Sequence, residues 1–360
     1  MKQRTRKGSV FLQMVCSLMI MMAAVFIMTP QHVRAEGEQL RVEFLDVGQG
    51  NAILLESQGH YVLIDGGDRE TSSFVVSYLK EQGIDTFDYV VASHFDSDHL
   101  AGLIGVLHQF GVNQILTPGY EGDTKLYQSF EEAVRQYQVM EIHPQQEEVY
   151  SFGTAQMEIL GPVYYGHSDG NEDSICIRVT NGENRFLICG DIGEDTETEL
   201  VHTGVDLSAD VYLLNHHGSN RSSTQEFLDL VQPSCVVISC GSGNSYGHPG
   251  TETMTRIENL GIPIYRTDLQ GTIRVESDGI QLFWEQEPCN DFTPGDQAEE
   301  TISEEEGLES QYILNTRSMK FHLPSCSAVN KMKEKNRQEY TGSREALIQQ
   351  GYSPCGTCHP

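Results

Sequence analysis

The densest chemistry in the chain lies in Ser93-His94-Phe95-Asp96-Ser97-Asp98-His99. Two imidazoles and two carboxylates fall between an apolar β-type run at residues 87–92 and a helical pattern at 100–110. Nitrogen and carboxylate-oxygen donors this close together suit a divalent metal. His94 and Asp96, two apart, point the same way in an extended segment, while Asp98 and His99 are adjacent at the first helical turn and can face a second point. The spacing therefore predicts two metals. Helix capping explains an aspartate at 96 or 98, and surface exposure explains a histidine, but neither explains four donors together.

The elements that must position these groups are short apolar strands with polar ends. Residues 40–44, 52–55 and 61–64 read as strands, and the third runs into Asp65-Gly66-Gly67, where two glycines allow a tight turn beside a carboxylate. Residues 72–80 read as a helix. Further strands are expected at 114–116, 155–160, 174–179, 186–189, 211–214, 236–239, 262–265 and 272–275. The strand at 186–189 ends in Gly190-Asp191, and that at 211–214 ends in Asn215-His216-His217-Gly218-Ser219. Four strands thus deliver Asp or His at one end, which is where α/β sheets place sites. The converging set is Asp65, His94, Asp96, Asp98, His99, Asp191 and His216 or His217.

These segments, together with Phe44-Leu45-Asp46-Val47-Gly48-Gln49-Gly50, resemble the metallo-β-lactamase superfamily, and within it the hydrolase domain of the ComEC-type competence proteins for DNA uptake. The resemblance spans about residues 40–284 and implies an αββα sandwich with a two-metal site along one edge. Carried over residue by residue, it implies that His94 and Asp96 hold one ion, and that Asp98, His99 and one of His216 and His217 hold the other. Asp191 would bridge them and Asp65 would orient a ligand histidine. Tyr246-Gly247-His248-Pro249 also matches this branch, so His248 is an expected proton donor or phosphate contact, against the plainer reading of a turn histidine. The superfamily's third histidine has no clean match: Asn171-Glu172-Asp173-Ser174 stands there, and nearby His167 reads as a solvated loop residue. The implied activity is hydrolysis of phosphodiester bonds in DNA by two Zn²⁺ or Mn²⁺ ions. Cleavage of a cell-envelope phosphodiester such as phosphorylcholine or teichoic acid, and a non-catalytic binding scaffold, are the alternatives. Neither a Gly-x-Ser-x-Gly elbow nor a Walker loop occurs.

Composition bounds these readings. The 360 residues carry a formal net charge of −29, which disfavours non-specific contact with nucleic acid or anionic membrane. Bound divalent ions would invert that sign locally. Lys2, Arg4, Arg6 and Lys7 precede an apolar run at 10–28 and small residues at 33–35, so residues 1–35 read as a signal peptide or an uncleaved membrane anchor. Either places the remainder outside the cytoplasm, extracellular or tethered. Cys176, Cys189, Cys235 and Cys240 sit in apolar runs and read as buried small hydrophobes. The hydrolase domain is expected at 38–284. Residues 285–311, with ten acidic side chains and no Lys or Arg, read as a disordered linker.

Residues 312–360 change sign, with seven Lys or Arg against three Glu. His322-x₃-Cys326 and Cys355-x₂-Cys358 offer four soft ligands for one structural Zn²⁺. The stretch resembles the small zinc-binding module of Ada-type DNA-repair proteins. A Cys355–Cys358 disulfide is the competing expectation for an exported chain.

Overall fold

The computed structural model describes residues 39–295 and, in the tail, 310–324, 326, 328–342, 347 and 352–355. The proposed signal or anchor at 1–35, residues 296–309 and Cys358 lie outside the described residues. The first half of the main body contains β1 (Leu40–Phe44), β2 (Ile53–Ser57), β3 (His60–Ile64), α1 (Ser72–Glu81), β4 (Thr86–Val91), α2 (Ser97–Gln109), β5 (Gly111–Leu116), α3 (Lys125–Gln136) and β6 (Met140–Ile142). The second half contains β7 (Val149–Phe152), β8 (Ala155–Gly161), β9 (Cys176–Asn181), β10 (Asn184–Ile188), α4 (Glu194–Thr203), β11 (Val211–Leu213) and α5 (Gln225–Val231). It continues through β12 (Cys235–Ile238), α6 (Thr251–Leu260), β13 (Ile264–Arg266), α7 (Thr267–Gln270), β14 (Ile273–Ser277) and β15 (Leu282–Trp284).

Most of these strands are apolar on both faces because each is covered twice. Ile53 and Leu55 of β2 join the layer between the sheets, while Leu54 points to the helices; Val211 and Leu213 of β11 do the same around Tyr212. One sheet runs β15-β14-β1-β2-β3-β4-β5-β6 and the other β13-β12-β11-β10-β9-β8-β7. The central layer, from Phe44 and Ile64 on one side to Ile177, Phe186 and Val237 on the other, binds them face to face. Helices α1 to α3 cover the first sheet, and α4 to α6 cover the second. This is the αββα sandwich that the resemblance implied.

Residues 285–295, expected as the start of a disordered linker, are ordered. The stretch 285–295 is held to the body: Cys289 N–H donates to the Ile264 carbonyl, and Arg266 donates to the carbonyls of Asp291 and Thr293. Cys289 and Phe292 also pack on the core beneath α6. Acidic composition hid these anchors, since the contacts use backbone carbonyls and two apolar side chains. In the tail, β16 (Ser310–Asn315), β17 (Lys320–His322), β18 (Arg337–Gly342) and β19 (Ser353–Pro354) form a separate sheet of order β18-β16-β17-β19.

Helix α2 meets the Asp65-Gly66-Gly67 turn with almost no gap. Gly66 N–H donates to the His99 carbonyl and Gly102 N–H to that of Gly67, at 2.8 and 2.9 Å. A Cβ on Gly102 would lie 1.7 Å from the Gly66 oxygen. Gly102→Ala is therefore expected to cost about 1–3 kcal/mol through forced separation of turn and helix. Urea denaturation checks this; an unchanged midpoint would contradict the packing described.

Candidate metal centre

Two parallel strand pairs, one in each sheet, aim their carboxyl ends at the same place. In the first sheet β3 runs beside β4, delivering Asp65 and then Ser93-His94; in the second β10 runs beside β11, delivering Asp191 and then His217. Helix α2 begins at Ser97, after the short loop that follows Val91 of β4, so Asp98 and His99 occupy its first turn. Ile175 N–H donates to the Ser93 carbonyl at 2.9 Å, tying the two sheets at this edge.

One donor atom from each of Asp98, His99, Asp191 and His217 lies within 4.8 Å of all the others. His99 Nε2 is 3.3 Å from His217 Nε2 and 3.2 Å from Asp191 Oδ1. His217 Nε2 is 3.1 Å from Asp191 Oδ2 and 3.4 Å from Asp98 Oδ2. Each imidazole is fixed from behind. His99 Nδ1 meets Asp65 Oδ2 at 2.8 Å, and His217 Nδ1 donates to the Ser239 carbonyl at 2.9 Å, so both Nε2 atoms face the cluster. Asp65 is itself held by the Ser93 backbone N–H and hydroxyl, both at 2.8 Å.

The other expected residues take distinct places. The His94 ring lies 4.2 Å from that of His99, and its buried Nε2 has no hydrogen-bond partner among the described residues. Asp96 is exposed at the N-cap of α2, makes no side-chain capping bond and stands outside the four-residue group. His216 is more exposed than His217, with Nε2 3.8 Å from Asp191 Oδ2. The His248 ring lies 5.5 Å from that of His216 and 6.1 Å from that of His217. His167 is not the solvated loop residue expected. Its Nδ1 meets Asp173 at 2.7 Å and its ring stacks on Tyr164, which leaves the side chain 9% exposed and away from the cluster. Glu172, in the stretch where a third histidine was sought, accepts from the Gly193 and Thr196 amides at the start of α4.

Several supporting residues carried no signal in the sequence reading. Ser93 touches Asp65, His94 at 3.1 Å and His99 at 3.4 Å. Buried Glu197 accepts from Asn215 Nδ2 and from the Ser223 and Thr224 amides, bracing the loop that carries His217. Arg256 grips the same loop through the carbonyls of Asn220, Ser222 and Ser223. A glutamate three residues before buried Leu200 on a helix face was the available clue to Glu197.

The donor set fits a divalent cation. Two carboxylates and two imidazole nitrogens converge, His94 Nε2 waits unpaired beside them, and the rear-side bonds leave the ligand atoms facing inward. Without a metal, protons take over the same task. Burial pushes the His99 imidazole down, but Asp191 and Asp65 outweigh it and hold it well above the usual range. Burial likewise lowers His217, and Asp191 and Asp98 reverse this to raise it to about 9. For Asp98 and Asp191 burial acts upward, yet the facing histidines leave both carboxyls below their ordinary value.

A pH dependence follows. His217 is raised from 6.5 to about 9, so its stabilisation of the metal-free fold is complete below pH 6.5 and lost as pH rises through 9. Metal binding requires neutral imidazoles, so the increment in melting temperature conferred by Mn²⁺ or Zn²⁺ is expected to grow across that window. Melting temperatures with chelator and with each ion check both signs. A chelated protein that becomes more stable through the window would contradict the assignment.

The metallo-beta-lactamase superfamily model matches residues 45–242. Competence protein ComA of Neisseria gonorrhoeae is 30% identical over 233 residues, covering 64% of this chain and 31% of that protein. ComE operon protein 3 of Bacillus subtilis is 27% identical over 259 residues, covering 67% and 33%. Recombination protein 2 of Haemophilus influenzae is 27% identical over 240 residues, covering 65% and 28%. The chain thus spans about a third of the length of these relatives. Among solved structures, the metallo-beta-lactamase fold protein YhfI of Bacillus subtilis aligns with a TM-score of 0.43 at 13% identity, covering 63% of this chain and 96% of that one. The sandwich, the edge-on donor cluster and the match over more than half its length place this chain in the metallo-β-lactamase superfamily, with competence proteins among its homologues.

Proposed function

We propose that this chain is an exported, metal-dependent phosphodiesterase that cleaves DNA. The observation that carries the reading is the carboxylate-rich donor set of Asp98, His99, Asp191 and His217, with buried His94 beside it. Carboxylate oxygens favour hard ions, so Mn²⁺ stands beside Zn²⁺ as an occupant. When bound, two such ions stabilise the attacking and leaving oxygens of an in-line displacement at phosphorus. Asp98, His99, Asp191 and His217 would hold one ion, with Asp191 able to reach a second alongside His94 and the exposed Asp96. Relatives named as competence and recombination proteins support DNA as the substrate. The charged and apolar pattern of residues 1–35 supports export; among the described residues no helix is long and apolar enough to cross a membrane.

His248 has a role in this scheme. Gln49 Oε1 accepts from the Gly241 amide, which turns its NH₂ toward His248 Nδ1 at 3.4 Å and leaves the ring proton on Nε2. Burial, then His217 and His216, lowers His248 to about 4, so it is neutral near pH 7 and offers one N–H to a phosphate oxygen or leaving group.

The charge of −29 favours a second reading, a small envelope phosphodiester in place of a polyanion. Incubating the metal-loaded protein with single- and double-stranded DNA and with glycerophosphodiesters separates the two. Cleavage is expected to vanish in Asp191→Ala and to fall about 10–100-fold in Asp65→Asn, which unfixes His99. If metals bind but no phosphodiester is cut, the reading fails. If no cleavage is found and Asp98→Ala leaves the biological activity of the protein unchanged, a binding scaffold is favoured instead.

The tail completes the proposal with a structural zinc. Ligand atoms of His322, Cys326 and Cys355 lie within 4.8 Å of one another, and His322 Nδ1 is buried with no hydrogen-bond partner among the described residues. Elemental analysis of Cys326→Ser is expected to show one zinc fewer per chain, with turnover of a small phosphodiester unchanged. Finding Cys326 and Cys355 in disulfides by mass spectrometry would overturn it.

A further inference from the structure

The loop from Gly241 to Gly250 is rigid around one side chain. Asn244 Nδ2 donates to the carbonyls of Gly241 and His248, at 2.9 and 2.5 Å, while its Oδ1 accepts from the amides of Tyr246 and His248, at 3.1 and 3.0 Å. The loop is also fastened to the metal centre, since Gly250 N–H donates to the Gly218 carbonyl, one residue beyond His217. Tyr246 nevertheless leaves 69% of its surface exposed. Its ring lies on that of His248, with centroids 5.7 Å apart and planes inclined by 24°. The His248 ring in turn stands edge-on to His216, which borders Asp191.

An exposed aromatic contributes little to folding, so its place on a loop pinned by four hydrogen bonds of Asn244, one of them from the Tyr246 amide, invites another explanation. We infer that Tyr246 is a stacking platform for a nucleobase of the strand being cut; this rests on the phosphodiesterase reading above. One face of the Tyr246 ring is backed by His248, and a base on the outer face would bring its attached phosphate toward His248 and the donor cluster. Stacking on an aromatic ring is sequence-tolerant because every base has a π-face, and the ring-on-ring contact itself does not draw on the net charge of the protein. That suits a chain of net charge −29, which cannot gather a polyanion through its long-range field.

The test uses the full chain in Mn²⁺ with two labelled strands of equal length and charge, one of thymidylates and one abasic. Anisotropy gives affinity, and cleavage is followed in parallel. The wild type is expected to bind the thymidylate strand about tenfold more tightly than the abasic one. Tyr246→Ala should abolish that difference by raising KM for the thymidylate strand with kcat unchanged, and Tyr246→Phe should restore it. Tyr246→Ala binding and cutting the thymidylate strand like the wild type, or weakening both strands equally, would overturn the platform. The underlying reading fails separately: base-dependent binding through Tyr246 with no cleavage removes the phosphodiesterase and keeps the platform, whereas cleavage with no preference between the strands does the reverse.

Discussion

His99 joins the two halves of the molecule through both nitrogens of one ring. Its ring is fully buried, with Nδ1 against Asp65 from the first sheet and Nε2 against Asp191 from the second. Asp98 approaches the same space through His217. Asp65 and Asp191 are buried and Asp98 is only partly exposed, so these carboxylates lose hydration and repel one another, and cationic character between them stabilises the edge. Protons on His99 and His217 can supply it, and so can a divalent ion. The chemistry of the site and the closure of the sandwich at this edge are thus one electrostatic problem.

The backbone is bent to solve it. Asp65, His216 and His217 all have φ between +51° and +59°, a region L-residues avoid. Positions of this kind persist only where surrounding structure over-determines them. Here the surroundings are identifiable: Ser93 and the close approach of Gly66 to α2 hold Asp65, while Glu197 and Arg256 grip the loop after β11. The left-handed turn at 216–217 also assigns the two histidines their places. It turns His217 into the buried cluster and leaves His216 partly exposed beside Asp191.

Much of this was legible from residue order. Strand ends that deliver Asp65, His94, Asp191 and the 216–217 pair are visible because apolar runs stop abruptly at ionisable residues, and the αββα sandwich is what the family resemblance implied. What stayed hidden depends on three-dimensional neighbours. Glu197 sits in an acid-rich helix in which Glu194 and Asp195 are exposed, whereas Glu197 lies on the buried side with Thr196 and Leu200 and meets three donors. Ser93 looks like any loop serine until the tips of β3 and β4 are brought side by side. Choosing between His216 and His217 required the backbone dihedrals. The helices at 125–136, 225–231 and 251–260 also escaped, because each buries only a short stripe among many polar residues: Phe130, Ala133 and Val134 in the first, Phe227, Leu228 and Val231 in the second, Thr253, Met254 and Ile257 in the third.

The same construction links the donor cluster to the surface that would meet a substrate. His217 is held by the Ser239 carbonyl, and the Ser239 hydroxyl donates to the Gly50 carbonyl at 2.7 Å, in the loop that carries Gln49. Gln49 steadies His248, and Gly218 accepts from Gly250 at the base of the 241–250 loop. The donor cluster and the 241–250 loop are in this way joined by a short series of hydrogen bonds, so the residues that fix His217 are continuous with those that orient His248.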